Sequence, residues 1–278
     1  MLQPSVSSLS IKKVNATNVS EADDWLAVEE PLEIRLGYDS PSGKTVKNIS
    51  VTMRTPGHDQ ELALGFLFTE GIIKKTGDVD SVNQNSLDGN SILVKLNDGL
   101  EFDLKKLERH FYTSSSCGVC GKSSIEAVKT LTTTTSAGPE FQMDSKLLTK
   151  LPDLLRLHQS VFESTGGLHA SALFDTNGKL LLLYEDVGRH NALDKLIGAA
   201  FEKRMIPLAE NILLLSGRAS FELIQKAAMA GIMMVAAVGA PSSLAVELAK
   251  ENNMTLIGFL RNERFNIYCG ESRVVIQK

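Results

Sequence analysis

The alternation of apolar and polar positions changes character midway along the chain. Over the first hundred residues the period is two. "LSIKKVNA" and "EPLEIRLGY" alternate apolar and polar side chains between turn formers, the pattern of half-buried strands. "KNISVTMRTP" is a third strand, stopped by Pro56. "DQELALGFLFTEGII" shifts to helical spacing: Leu62, Phe66 and Leu67 recur on one face, Asp59 stands where it can cap, and Gly71 follows as a stop. "SILVKLNDGLEFDL" reads as a hairpin folded at Asn-Asp-Gly, and "SSIEAVKTL" as a helix.

The second half is more regular. One long helix is expected from Asp144 to Glu163. Two short strands, "HASALFD" and "KLLLLYED", are joined by Thr176-Asn177-Gly178 and should pair antiparallel. Helices then alternate with strands: helix 189–204, strand 211–216, helix 219–230, strand 232–238, helix 242–252 and strand 254–260. "RFNIYC" adds a strand at an edge. This alternation predicts a parallel sheet with helices on both faces, and ligands of such sheets bind outside the C-terminal strand ends. "TTTTSAG", Thr132 to Gly138, is the most linker-like stretch. It divides a smaller strand-rich α+β region, 1–138, from an α/β domain, 139–278. There is no internal repeat.

Composition changes this picture little. The 278 residues are 43% hydrophobic and 22% charged, enough to bury a substantial core. The net charge of -4 offers no bulk basic field for nucleic acid. The N-terminus lacks the basic and apolar regions of a signal peptide. The longest uncharged run, Ala227 to Val246, is interrupted by Gly231, Gly239 and Pro241. It reads as helix end, strand and turn, not as a membrane span. A cytoplasmic protein is expected, and there a close cysteine pair is more often catalytic or metal-binding than a structural disulfide.

Chemistry concentrates in two places. The first is the loop "TSSSCGVCGK", which holds Cys117 and Cys120, two of only three cysteines. Structural zinc needs four ligands and this chain offers one pair. No histidine has a glutamate two residues on, as a zinc deaminase would require, and Ser116 stands where its proline would be. A thioredoxin-like pair would open a helix in an early βαβ unit. Nucleophilic or sulfur-carrying thiols are left, with a zinc or redox module as the alternative. A following helix N-terminus and Lys122 would both favour the thiolate.

The second place is the strand ends. "EDVGRHNALDK" puts Gly188, Arg189 and His190 between a strand and a helix, and "LLLSGRAS" repeats this with Ser216, Gly217 and Arg218. "AAVGAPSS" and "IGFLRNERFN" follow, the latter bringing Arg261 and Arg264. Helix N-termini beside arginines suit phosphate groups, although each turn alone could be geometry and a solvated arginine. "STGGLHAS" sets Gly167 and His169 at a strand start. A lone histidine there is more often structural than a ligand.

Taken together and in order, "MRTPGHDQELALGFLFTEGII", "SSSCGVCGK", "TGGLHASAL", "EDVGRHNALDK", "LLLSGRASFELIQKAAMAGI" and "GAPSSLAVELA" resemble the FdhD family of sulfur carriers for formate dehydrogenase. The resemblance runs from Met53 to Tyr268. It implies a cytidine deaminase-like three-layer α/β/α core and a homodimer. It implies a sulfurtransferase that takes sulfur from a cysteine desulfurase as a cysteine persulfide. The sulfur would pass to the molybdenum cofactor, in its bis molybdopterin guanine dinucleotide form, before that cofactor enters formate dehydrogenase. Cys117 matches the persulfide cysteine and Cys120 its partner. The cofactor site would include Phe259, Leu260, Arg261, Asn262, Glu263 and Arg264, and the strand-end residues Gly167, His169, Gly188, Arg189, Ser216, Gly217 and Arg218 are expected beside it. GDP could mimic the cofactor there. A cofactor-binding chaperone without transfer chemistry is the other reading.

Overall fold

The structure is a computed structural model that describes residues 5–40, 43–84, 89–100 and 141–276. Its first half begins with a hairpin of β1 (Val6–Asn15) and β2 (Asn18–Ala27). A four-stranded sheet follows, ordered β4-β3-β6-β5, from β3 (Glu30–Ser40), β4 (Gly43–Arg54), β5 (Val79–Gln84) and β6 (Ser91–Leu96). In β3 the period of two is literal: Leu32, Ile34 and Leu36 are buried and the residues between them are not.

Helix α1 (Asp59–Thr69) buries Leu62, Ala63, Leu64, Leu67 and Phe68. Those positions circle the axis, because the helix has protein on more than one side. Asp59 does not cap it. His58, in left-handed backbone, occupies the cap position. The Asp59 carboxylate instead takes two bonds from the buried Arg54 guanidinium, 2.9 and 3.0 Å. A buried arginine demands a carboxylate more strongly than a helix end does.

The second half is a six-stranded mixed sheet ordered β13-β12-β11-β10-β8-β9. Short β7 (Met143–Asp144) pairs with β14 (Val274–Val275) beside it. The antiparallel pair is β8 (His169–Phe174) and β9 (Leu180–Asp186). The parallel strands are β10 (Ile212–Leu215), β11 (Met234–Ala237) and β12 (Thr255–Arg261), and β13 (Arg264–Cys269) runs antiparallel at the edge. Leu213, Leu215, Val235 and Ala237 pack on one face with helices α5 (Arg189–Glu202), α6 (Phe221–Met229) and α7 (Ser243–Glu251). Ile212, Leu214, Met234 and Ala236 face the other way, toward Leu148, Leu151 and Leu155. Helices therefore cover both faces.

The long helix expected from Asp144 to Glu163 is three short ones: α2 (Ser145–Leu148), α3 (Leu151–His158) and α4 (Ser160–Thr165). Pro152, at the start of α3, has no amide to offer a preceding turn, so it begins a helix and cannot continue one. The second break, at Gln159, is held from outside. The Glu185 carboxylate on β9 accepts from the amides of Val161 and Phe162 at 3.1 and 2.9 Å and so caps α4.

Of the expected hairpin, β6 and the Asn97-Asp98-Gly99 turn are described; its second strand from residue 101, the "SSIEAVKTL" helix, the linker and the cysteine loop lie outside the described residues. Among the described residues no helix is long and apolar enough to cross a membrane.

Candidate ligand cleft at the sheet edge

The topology brings the strand-end motifs to one edge. Strands β10, β11 and β12 end there, β8 begins there, and β9 ends there at Asp186, opposite His169. The ends stay paired past the strands: the Gly239 amide donates to Gly217 and the Phe259 amide to Gly239, at 2.9 and 3.0 Å. This close approach needs glycine, since a Cβ on Gly239 would sit 2.9 Å from the Gly217 carbonyl oxygen.

A cleft of about 590 Å³ opens at this edge, a volume typical of small-molecule sites. Of the residues expected from sequence, Gly167, His169, Ser216, Gly217, Arg261, Asn262 and Glu263 line it. The Ser216 hydroxyl is already engaged, accepting from the Ala170 amide at 2.8 Å, so it joins β8 to β10. His169 rests on Gly217, where a Cβ would stand 3.2 Å from its Nδ1.

Six expected residues stand off the lining. Leu260 is fully buried in the core beneath. Phe259 lies within β12, where the pairing with β13 shifts register. Arg264 is exposed opposite Arg261. Gly188 makes the turn into α5, its amide bound to the Asp186 carboxylate at 2.8 Å. Arg189 has a buried Nε with no hydrogen-bond partner among the described residues, and Arg218 is exposed. Both nevertheless act on His169 electrostatically. Burial, then the charges of Arg189 and His190, lower the His169 pKa from its ordinary value.

Backbone strain is concentrated here. Phe259, Asn262 and Glu263 have φ of 54°, 52° and 57°. Asn262-Glu263 forms the two-residue turn between Arg261 and Arg264, which requires left-handed backbone at both positions. Non-glycine residues held this way cluster at functional sites.

The wall built by α3 and α4 was not anticipated. Asp153, Arg156, Gln159 and Phe162 line the cleft from that side, with the Arg156 guanidinium 5.6 Å over the Phe162 ring. The signal available in the sequence was Pro152, which breaks the helix and turns these residues inward. Among the described residues no cluster of three or more His, Cys, Asp and Glu side chains is disposed to hold a metal ion. Cys117 and Cys120 lie outside those residues.

Fold and cleft together define a mixed α/β protein with an arginine-edged cleft at its strand ends. The chain belongs to the FdhD/NarQ family, whose model matches residues 27–275. It is 48% identical to a sulfur carrier protein FdhD of Streptomyces avermitilis, covering 93% of this chain and 92% of the relative. It is 50% identical to that of Mycolicibacterium paratuberculosis, over 90% and 92%. The same-named protein of Sulfolobus acidocaldarius is 40% identical over 96% and 99%. The crystal structure of a protein from Desulfotalea psychrophila, assigned there as a formate dehydrogenase accessory protein, shares the fold. Its TM-score is 0.77 at 23% identity, with 98% of this chain and 100% of that one covered.

Proposed function

We propose that this protein is a sulfurtransferase that serves formate dehydrogenase. The observation that carries the reading is its membership of a family whose relatives, at 40 to 50% identity over nearly the whole chain, are named sulfur carrier proteins. In this reading the Cys117 thiolate attacks the terminal sulfur of a cysteine desulfurase persulfide. The S–S bond of the donor breaks, its thiolate leaves, and Cys117 becomes the persulfide. Cys120 then attacks the inner sulfur. A Cys117–Cys120 disulfide forms, and the terminal sulfur departs as hydrosulfide with both electrons of the broken bond. That sulfide is the form a molybdenum centre can take as a ligand, and a dithiol reductant resets the pair. In this step the two cysteines supply the electrons, with Cys117 indispensable as the carrier and Cys120 assisting as the resolving thiol.

The substrate in this reading is the molybdenum cofactor in its bis molybdopterin guanine dinucleotide form, bound at the sheet-edge cleft. Support comes from the cleft volume, from Arg261 on its rim and from Arg189 and Arg218 nearby. GDP is the mimic to use. The same reading makes the protein a cytoplasmic homodimer. It relates the core to cytidine deaminases, as helices on both faces and an antiparallel pair leading into parallel strands support.

The test is intact-mass analysis after incubation with a cysteine desulfurase and cysteine. One added sulfur is expected on wild type and none on Cys117→Ala. A Cys117→Ala variant that fully supports formate dehydrogenase maturation would sink the proposal.

A further inference from the structure

The stretch "MRTPGHD" of the first half contributes no residue to the cleft lining, yet its polar groups are spent on the turn that leads there. Thr55 is buried and commits all three of its polar groups to the junction of β9 and α5. Its amide donates to the Asp186 carboxylate at 3.2 Å, its hydroxyl accepts from the Val187 amide at 3.2 Å, and its carbonyl accepts from Lys195 at 2.9 Å. Asn191, in the first turn of α5, grips from the other side. Its Nδ2 donates to the Met53 carbonyl at 2.7 Å and to Asp186 at 3.1 Å, and its Oδ1 accepts from the Thr52 hydroxyl at 3.1 Å. The three residues Val187-Gly188-Arg189 are thus anchored at both ends to the first half.

A helix can start with a single cap, so these bonds do more than begin α5. What they fix is Arg189, its first residue. Its buried Nε has no acceptor among the described residues, which is costly for a donor and calls for one. The guanidinium still acts on His169, which lines the cleft. We propose that Thr55 and Asn191 are positioning residues, which clamp the β9–α5 turn so that Arg189 faces the phosphate groups of the ligand in the cleft. This rests on the reading that the cleft holds the nucleotide end of the cofactor. The first half then serves the site through Arg189 without touching the ligand. With the clamp released, the turn gains conformations, and affinity falls in proportion to the time Arg189 spends elsewhere.

The experiment is equilibrium titration of the full chain with GDP and with guanosine, which lacks the phosphates. The proteins are wild type, Arg189→Ala, Thr55→Val, Thr55→Ser, Asn191→Ala and the double variant Arg189→Ala/Thr55→Val, each first shown to keep the near-UV circular dichroism of wild type. Arg189→Ala should weaken GDP about tenfold, the worth of a hydrogen bond to a charged group, and leave guanosine unchanged. Thr55→Val and Asn191→Ala should weaken GDP alone, about threefold if Arg189 is in place a third of the time. Thr55→Ser, which keeps the hydroxyl, should bind as wild type does. The double variant should be no weaker than Arg189→Ala, because Thr55 acts through Arg189. The His169 ring reports the same without ligand: its NMR midpoint should rise toward 6.5 in Arg189→Ala and part of the way in Thr55→Val. Losses in Thr55→Val and Arg189→Ala that add in the double variant, or a His169 midpoint that Thr55→Val leaves unmoved, would overturn the clamp. GDP binding indifferent to Arg189→Ala would overturn it too and leave the cleft as the nucleotide site. No GDP binding by wild type would overturn both readings.

Discussion

At the scale of single residues, His169 shows how the cleft is tuned. Burial disfavours its charged form, and Arg189, His190 and Arg218 add repulsion that Asp186 only partly offsets. Its pKa therefore lies below the ordinary 6.5, and the ring is neutral at pH 7. The sign follows from linkage. The folded state holds this proton more weakly than the unfolded chain, so His169 lowers stability as pH falls through 6.5 toward its folded value. A phosphate placed among those arginines would cancel the repulsion and bring the proton back. We expect an NMR titration of the His169 ring to give a midpoint below 6.5 without ligand and a higher one with saturating GDP. A midpoint that GDP leaves unmoved would place the phosphates away from His169.

At the scale of elements, α1 and α5 cross in close contact between the two halves. A Cβ on Gly65 would lie 1.9 Å from the Asp194 carbonyl oxygen, and one on Gly198 would lie 1.8 Å from that of Glu61. The helices meet backbone to backbone at these two glycines. Gly198→Ala must push them apart, and we expect a loss of about 3 kcal/mol or more, the upper range for overfilling a packed site. Urea denaturation would measure it, and a variant with an unchanged midpoint would mean that the crossing can open freely. Periodicity alone could not show this contact, because "LALGFLF" and "DKLIGAAF" look like ordinary helices whose glycines merely weaken them. What periodicity did reveal was local. Strands β3 and β8 and the alternation from Arg189 to Arg261 lie close to where the pattern put them, because each buries one face or both, and β9 follows from its turn with β8. The hairpin strand β2 escaped notice, since Glu21, Asp23 and Asp24 hide its register in charge and neither face is deeply buried. The site was half legible. Glycines and arginines at strand ends announce themselves by position, whereas Asp153 and Gln159 acquire meaning only once Pro152 and Glu185 bend the chain around the cleft.

At the scale of the molecule, two sheets share one core. The hydrophobic cluster runs without interruption from Leu32 and Leu62 in the first half to Leu193, Leu196 and Leu213 in the second. Polar groups are shared as well. Lys195, 1% exposed on α5, pairs with Asp186 at 2.7 Å and also donates to the Thr55 carbonyl at 2.9 Å. Asn191 donates to the Met53 carbonyl at 2.7 Å, and Lys226 bridges Asp194 to Thr69 of α1. Removing the first half would uncover an α5 that is buried from Asn191 to Phe201 and take partners from buried Lys195 and Asn191. The Lys195–Asp186 pair would stay together but lose the Thr55 carbonyl, and hydrogen bonds to charged groups contribute more than neutral ones. A linker at 132–138, as the composition there leads one to expect, would therefore divide the chain in sequence without dividing it in energy. We expect the full protein to unfold in a single calorimetric transition. A fragment of residues 139–278 should lack near-UV circular dichroism and bind a hydrophobic dye, as a chain without fixed packing does. Two resolved transitions, or a fragment that melts cooperatively near the temperature of the whole, would show that the second half stands alone and that the α1–α5 contact is a docking surface between separate domains.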